Sequence, residues 1–205
     1  DYLDGISLER YGNSVIIPAE YGTIYPDGKR YPVVVGPYGE VKRINKQLGL
    51  PNTQAHHVAQ NAIYGKTVPK QQGVAVSLRG NAFTEFQSPH NNAHRFGETK
   101  IDTYREGGTV PTNKRMYEIL SGELQAAGLN NNVIDFIMYE AIQQHMEYGI
   151  LPEEHIQRIP RKIFFNTSKE GVKNEKDYQL SDCGSDACKY RRLRQKDGGA
   201  DGRGR

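Results

Sequence analysis

Four of the six histidines in this 205-residue chain fall into two closely spaced pairs. His56 and His57 are adjacent in AHHVAQNA, and His90 and His94 lie four residues apart in SPHNNAH. Residues four apart share one side of an α-helix, whereas neighbouring residues of a β-strand point to opposite faces. A fold that gathers these histidines must therefore bring an extended segment and a helix together.

The second pair follows a sequence that is typical of a helix start. Ser88 is a preferred N-cap residue, and Pro89 falls at the first helical position, where proline is favoured. We predict a helix that begins at Pro89 and ends near Gly97. Helical spacing puts the Cβ atoms of His90 and His94 about 5–6 Å apart, close enough for both imidazoles to bind one metal ion.

The segments before this helix have strand patterns. The β-branched runs SVII and YPVVV predict strands within residues 14–35, and the YPDG sequence between them is a turn signal. GVAVSL predicts a strand at 73–78 because its apolar residues alternate. We expect Gly80 and Asn81 to form a tight turn, and AFTEF at 82–86 to return as the second strand of a hairpin.

Helical patterns occupy much of the remaining sequence. Apolar residues recur at helical spacing in three segments, with glycine or threonine where a helix would stop or start. The predicted helices cover residues 39–49, 112–128 and 131–149. Together with the strands they indicate a small α+β domain, while residues 166–205 are polar and basic and are expected to form a flexible tail.

The net charge of +3 comes from that C-terminal segment. Residues 189–205 contain seven Lys or Arg and two Asp, so the rest of the chain is slightly acidic. The charge therefore does not by itself indicate nucleic-acid binding by the folded part. Cys183 and Cys188 lie in the same polar region, where a local disulfide and two thiols are both open and a catalytic role is not expected.

The sequence lacks the pattern of a membrane protein. No run of about 18 apolar residues is present, so we expect no membrane span and no membrane partner. Residue 1 is Asp, and no basic and apolar leader follows it, which suggests a segment of a longer protein.

The order of these parts resembles a known nuclease fold. An HH pair on a strand, followed by a β-hairpin and a helix with HxxxH, is similar to the ββα-metal finger of the HNH, or endonuclease VII-like (His-Me finger), superfamily and to the colicin-type nucleases. More closely, AHHVAQNA and SPHNNAH resemble the AHH and SHH groups, which occur as C-terminal toxin domains of bacterial polymorphic toxins. The resemblance covers residues 50–100 and leaves the flanking segments outside it.

The resemblance implies a domain organisation around that finger. Residues 51–105 would form the ββα-metal finger, and residues 106–165 would add helices to the same domain. Residues 1–50 would form an N-terminal β/α segment packed on the nuclease core, and residues 166–205 the tail. The implied fold class is therefore α+β, an HNH-like finger with flanking helices and an N-terminal β-rich segment.

The resemblance also implies a role for each histidine. In the family pattern the second histidine of the HH pair is the general base and the first binds the metal, so His57 would be the base and His56 a ligand. His90 and His94 would complete the metal site. Opposite orientations of His56 and His57 on a strand would keep the two roles apart. A pKa near 6.5 suits a histidine for deprotonating the attacking water, while a metal ion would stabilise the charge that builds on the phosphate.

Further residues have expected roles on the same basis. The family uses an asparagine to orient the base, for which Asn81 in RGNAF is the first choice and Asn61 the alternative. Arg79 and Arg95 are candidate substrate-binding residues because they could contact phosphate. Nitrogen ligands favour a divalent ion such as Zn²⁺ or Ni²⁺, and Mg²⁺ or Mn²⁺ as the working ion is also open.

The implied function is that of a metal-dependent endonuclease toxin which hydrolyses phosphodiester bonds, in DNA in preference to RNA. As a secreted or delivered effector it would act in the cytoplasm of a target cell, with a cognate immunity protein as its partner. Two alternatives stay open. One is an RNase toxin whose paired histidines act as acid and base, and the other is a non-catalytic, zinc-stabilised nucleic-acid-binding module.

Overall fold

The computed structural model of the protein describes residues 7–162. The basic segment at 166–205, with Cys183 and Cys188, lies outside the described residues, so the expected flexible tail stays a prediction. Within the described range the chain is α+β, as the sequence predicts.

Among residues 7–162, five antiparallel strands form one sheet in the order β1-β2-β3-β5-β4. The strands are β1 (Glu9–Tyr11), β2 (Ser14–Ile17), β3 (Val33–Pro37), β4 (Thr53–His57) and β5 (Val74–Arg79). β2 and β3 confirm the strands predicted within 14–35, and they pair directly with each other. β3 also pairs with β5, so the N-terminal strands and the strand bearing the HH pair belong to one sheet.

The hairpin expected at 73–86 is wrong. β5 covers the first of its two strands, but residues 82–87 form turns and a bend. The side chain of Asn81 accepts hydrogen bonds from the backbone N–H groups of Phe83 (2.9 Å) and Thr84 (3.1 Å), which closes a local turn. β5 instead pairs with β4, the strand that bears the HH pair.

The described residues also form five α-helices, and the longer ones match the predicted positions. They are α1 (Tyr38–Gln47), α2 (Asn61–Tyr64), α3 (Pro89–Gly107), α4 (Asn113–Ala126) and α5 (Asn131–Glu147). α3 begins at Pro89 as predicted, because the hydroxyl of Ser88 accepts a hydrogen bond from the backbone N–H of Asn91 at 3.2 Å. Thr112 caps α4 in the same way.

The predicted end of α3 near Gly97 is wrong, since the helix continues for ten more residues. Gly97 lies inside the α3–α4 interface, where a Cβ atom would come within 1.9 Å of Oε1 of Glu123. The glycine is therefore needed for close packing and does not end the helix. α3 ends instead before Gly108, whose φ of +61° is the left-handed conformation typical of a helix C-terminus.

Helices cover both faces of the sheet. Val76 and Leu78 of β5 belong to the main core, together with buried residues of α3, α4 and α5. Ala75, which immediately precedes Val76, belongs to a smaller core with Val41 and Ile44 of α1. Because alternate residues of a strand point to opposite faces, α1 lies on one side of the sheet and α3–α5 on the other.

Candidate metal centre

The pairing of β4 with β5 sends the two adjacent histidines to opposite faces of the sheet. His56 is paired with Val76, which faces the main core, and His57 is paired with Ala75, which faces α1. Directly paired residues of neighbouring strands share a face. His56 therefore points towards α3 and α4, and His57 points towards α1.

His56 meets His90 and His94 in this interior. One ligand atom from each of the three lies within 4.8 Å of the others. The ring centroids form a nearly equilateral triangle, with separations of 5.1 Å (His56–His90), 4.9 Å (His56–His94) and 5.1 Å (His90–His94). Imidazoles bound to one tetrahedral zinc ion at about 2.1 Å would have their centroids about 5 Å apart. The arrangement therefore fits a metal ion bound by three histidines.

Hydrogen bonding within the cluster is consistent with this fit. His56 is 2% exposed, yet neither of its ring nitrogens has a hydrogen-bond partner. Buried polar atoms are rarely left unpaired, and a bound cation would satisfy one of these nitrogens. Nδ1 of His90 lies 3.2 Å from the backbone carbonyl oxygen of Gly80. A proton on Nδ1 would be donated to that oxygen, which leaves the Nε2 lone pair of His90 for a metal.

Burial also keeps these imidazoles in the form that binds metals. Desolvation lowers the pKa of His56 to about 4 and that of His90 to about 3. Burial lowers the pKa of His94 well below its usual value, and the neighbouring histidines lower it further. All three side chains are therefore neutral at pH 7, as metal ligation requires. His94 is the partly exposed member of the three.

A buried carboxyl group, which the sequence did not reveal as a site residue, lies next to the cluster. Oε2 of Glu123 in α4 is 3.6 Å from Nε2 of His56, and the side-chain amide of Gln60 donates a hydrogen bond to Oε1 at 3.3 Å. Burial raises the pKa of Glu123 to about 8, although the hydrogen bond from Gln60 acts in the opposite direction. Without a cation, the carboxyl group is therefore mainly protonated at pH 7 and does not form an ion pair with His56.

His57 is held on the other face by a stacking contact and a hydrogen bond. Its ring stacks on Tyr38 of α1, with a centroid distance of 3.9 Å and an interplanar angle of 13°. Nε2 lies 2.9 Å from the backbone carbonyl oxygen of Lys70, to which a proton on Nε2 would be donated. Burial lowers the pKa of His57 to about 4, which the hydrogen bond to Lys70 partly offsets. The imidazole is neutral at pH 7, and Nδ1 is left to accept a proton.

The two asparagines considered for orienting His57 lie in different places. The side-chain oxygen of Asn81 is engaged in the turn with Phe83 and Thr84. Asn61, at the start of α2, lines a narrow cavity together with His57 and Lys70. Of the two, Asn61 is the one that shares a cavity with His57.

The two predicted substrate-binding arginines have contacts within the protein. The guanidinium group of Arg79 pairs with Glu85 at 2.8 Å and lies over the ring of Tyr25. Arg95 follows His94 on α3 and lies over the ring of Phe86, 4.8 Å from its centroid. Arg95 directly follows a histidine of the cluster in sequence, whereas Arg79 is paired with an acidic side chain.

Comparisons with known protein families, with curated proteins and with solved structures give no match to this chain. In the part of the chain that the structure describes, no helix combines the length and apolar character needed to cross a membrane. The functional conclusion therefore rests on the geometry of the histidine cluster and of His57.

Proposed function

We propose that this protein is a metal-dependent endonuclease of the ββα-metal, HNH-like class that hydrolyses phosphodiester bonds, with DNA as the preferred substrate. The observation that carries the proposal is the triangle of His56, His90 and His94, with a fourth histidine, His57, adjacent in sequence on the opposite face of the strand. Three imidazoles can hold a cation, and the fourth is left to accept a proton.

The local architecture supports the choice of this class. The cluster is built from one member of an antiparallel strand pair, β4 and β5, and from the first turns of the following helix, α3. This is the order of elements that a ββα finger requires. The two strands are joined by residues 58–73, which include α2, so the connection is longer than a tight hairpin.

The chemistry of phosphodiester hydrolysis assigns separate tasks to the two faces. When bound, a divalent ion would stabilise the negative charge that develops on the phosphate. His57 is neutral at pH 7 and would accept the proton of the attacking water at Nδ1, while the carbonyl of Lys70 holds Nε2–H. A bound anionic phosphate would favour the protonated imidazole and so raise the pKa of His57. Arg95, next to His94, would contact the phosphate.

The wider biological setting belongs to the proposal as well. As a toxin effector the protein would be delivered into a target cell and act in its cytoplasm, where a cognate immunity protein would be its partner. Nitrogen ligands favour Zn²⁺ over Mg²⁺ at the cluster. Asn61 or Asn81 would orient the base, and Asn61 is favoured because it lines the same cavity as His57.

A second candidate function is a non-catalytic, metal-stabilised nucleic-acid-binding module. The observation that favours it is the burial of the cluster, since His56 is 2% and His90 5% exposed and Glu123 is fully buried. Closed sites are typical of structural zinc, whereas catalytic zinc keeps an open position. This alternative predicts folding that depends on metal, and no cleavage of nucleic acid.

The test is cleavage of plasmid DNA and of a structured RNA by the full chain. Wild type, His57→Ala and His94→Ala are each assayed with Mg²⁺, with Zn²⁺ and with EDTA. We expect the wild type to cut DNA with a divalent ion and to lose cleavage in EDTA. Loss of a general base costs about 10²–10⁴-fold in rate, so His57→Ala should cut at least about a hundredfold more slowly while still binding metal.

The matched control is His155→Ala, which removes an exposed histidine outside the cluster. It should cut like the wild type. If folded His57→Ala cuts as fast as wild type, the assignment of the base is wrong. A wild-type chain that binds metal but cuts neither DNA nor RNA under any of these conditions would support the binding module instead.

A further inference from the structure

Glu123 occupies a position that usually belongs to an apolar side chain. It is fully buried between α4 and α3, and Oε2 has no hydrogen-bond partner. Burying a carboxyl group without a partner for each oxygen is unfavourable, so a further contact of Oε2 would stabilise it. Oε2 lies 3.6 Å from Nε2 of His56.

Three buried atoms lack a partner at this point: both ring nitrogens of His56 and Oε2 of Glu123. An imidazole binds a metal through one nitrogen and carries a proton on the other, and metal-ligating histidines commonly donate that proton to a carboxylate. One metal ion and one His56–Glu123 hydrogen bond would satisfy all three atoms. The present separation of 3.6 Å exceeds a hydrogen bond by several tenths of an ångström, so a small movement would close it.

The space for this carboxyl group is provided by α3 itself. A Cβ atom at Gly97 would lie 1.9 Å from Oε1 and 2.5 Å from Cδ of Glu123, so no larger residue fits without displacing the carboxyl group. Gly97 follows His94 by three residues, which places it one turn further along the helix that bears His90 and His94. α3 thus contributes both the histidines and the cavity for Glu123.

We propose that Glu123 is a positioning residue of the metal centre, which accepts a hydrogen bond from Nε2–H of His56 and thereby presents Nδ1 of His56 to the metal. Gly97 also contributes to this arrangement, because the absence of a Cβ atom leaves the space that the carboxyl group occupies. The inference rests on the metal centre of the proposed function, but not on the cleavage of nucleic acid. It extends the centre from three histidines on β4 and α3 to a fourth residue on α4.

The test is the affinity of the full chain for Co²⁺, titrated by visible absorption and followed by displacement with Zn²⁺. Loss of a carboxylate that orients a metal-binding histidine costs about 10–100-fold in metal affinity, and we expect this loss in Glu123→Met. Methionine fills a similar volume without a charge, so the melting temperature of metal-free Glu123→Met should equal or exceed that of the wild type. A residue with a merely structural role would lose stability instead.

Two further variants separate the carboxylate from its surroundings. Glu123→Gln keeps a hydrogen-bond acceptor of the same shape, so its Co²⁺ affinity should fall between those of wild type and Glu123→Met. Gly97→Ala adds a Cβ against Oε1 and should weaken Co²⁺ binding although it alters no metal ligand. The matched control is Gly107→Ala on the same helix, where the added Cβ meets only Thr109 Oγ1 at 3.6 Å, and it should bind like the wild type.

The Co²⁺ absorption band distinguishes the outcomes. A band of unchanged shape in Glu123→Met, with weaker binding, is the expected result because the directly bound atoms stay the same. A changed band would show that Glu123 binds the metal directly and would overturn the positioning role, as would wild-type affinity in Glu123→Met. If wild type binds neither ion, the metal centre and this inference fail together. If metal binding follows this pattern but no nucleic acid is cut, only the nuclease function fails.

Discussion

At the scale of single residues, burial keeps the histidines of the interior neutral. His145 shows this outside the histidine cluster, since it is 1% exposed, Nδ1 lies 3.1 Å from the hydroxyl oxygen of Tyr117, and its ring lies against Tyr64. Burial lowers the pKa of His145 to about 4. The side chain is therefore neutral at pH 7, and the Tyr117 hydroxyl can donate to Nδ1.

The shifted pKa of His145 predicts a loss of stability in acid. The unfolded chain binds a proton near pH 6.5 and the folded chain only near pH 4, so the contribution of His145 is fully present above pH 6.5 and is lost as the pH falls towards 4. His145→Gln keeps an acceptor for Tyr117 but cannot titrate. The free energy of unfolding of this variant should fall less steeply with decreasing pH than that of the wild type. The two slopes should differ by up to about 1.4 kcal/mol per pH unit.

The measurement is urea unfolding of wild type and His145→Gln at half-unit steps from pH 8 to pH 4, without metal. The substitution also alters core packing and therefore the absolute stability. The quantity compared is the slope of the free energy of unfolding against pH. Parallel curves over the whole range would show that His145 does not titrate with folding. The prediction would then be wrong.

Sequence spacing predicted which histidines come together, because a strand places neighbours on opposite faces and a helix places residues four apart on one face. Glu123 was missed because its partner, His56, is 67 positions away in the chain. One signal was available. Met116 and Leu120 of α4 and its C-cap residue Ala127 recur at helical spacing on the buried side of the helix, and Glu123 falls on the same stripe. A carboxyl group among buried apolar residues indicates that a polar group from another part of the chain lies beside it.

At the scale of elements, α3 shows which boundaries are local and which depend on tertiary packing. Its start was predicted because the Ser88 cap and Pro89 act through neighbouring backbone atoms. Its end was misjudged because Gly97 acts through α4, which lies elsewhere in the sequence. The hairpin predicted at 73–86 is absent for a related reason, since β5 pairs instead with β4, a strand that precedes it in the chain.

The N-cap of α3 is expected to affect metal binding by the proposed centre as well as stability. Ser88 lies two residues before His90, and its hydroxyl accepts a hydrogen bond from the backbone N–H of Asn91. Ser88→Ala removes this acceptor, at a cost of about 1 kcal/mol in the free energy of unfolding. Fraying of this first turn should also weaken Co²⁺ binding, since His90 lies within it. Both quantities are measured, by urea unfolding and by Co²⁺ titration.

The matched control is Asn130→Ala, which removes the corresponding cap of α5, where the side chain of Asn130 accepts a hydrogen bond from the N–H of Asn132 at 2.9 Å. α5 contributes no histidine to the cluster, so this variant should lose similar stability but keep wild-type Co²⁺ affinity. Equal Co²⁺ affinity in both variants would count against a link between the α3 cap and the metal centre.

At the scale of the whole molecule, the sheet separates the histidine cluster from His57. Its main-core face holds the three-histidine cluster and Glu123, and the α1 face holds His57 against Tyr38. β4 is an edge strand, so both faces meet at one side of the molecule. In the proposed function, adjacent residues of one strand would therefore bind a metal ion and accept a proton.

The claim on which the proposals depend is that His56, His90 and His94 bind one metal ion. X-ray absorption spectroscopy of the zinc-loaded full chain tests it most directly, with His94→Ala as the comparison. We predict three imidazole nitrogens at about 2.0–2.1 Å in the wild type, and loss of zinc or of one imidazole in His94→Ala. Two results would contradict the three-histidine centre. One is sulfur ligands at about 2.3 Å, which would come from Cys183 and Cys188. The other is an unchanged spectrum in His94→Ala.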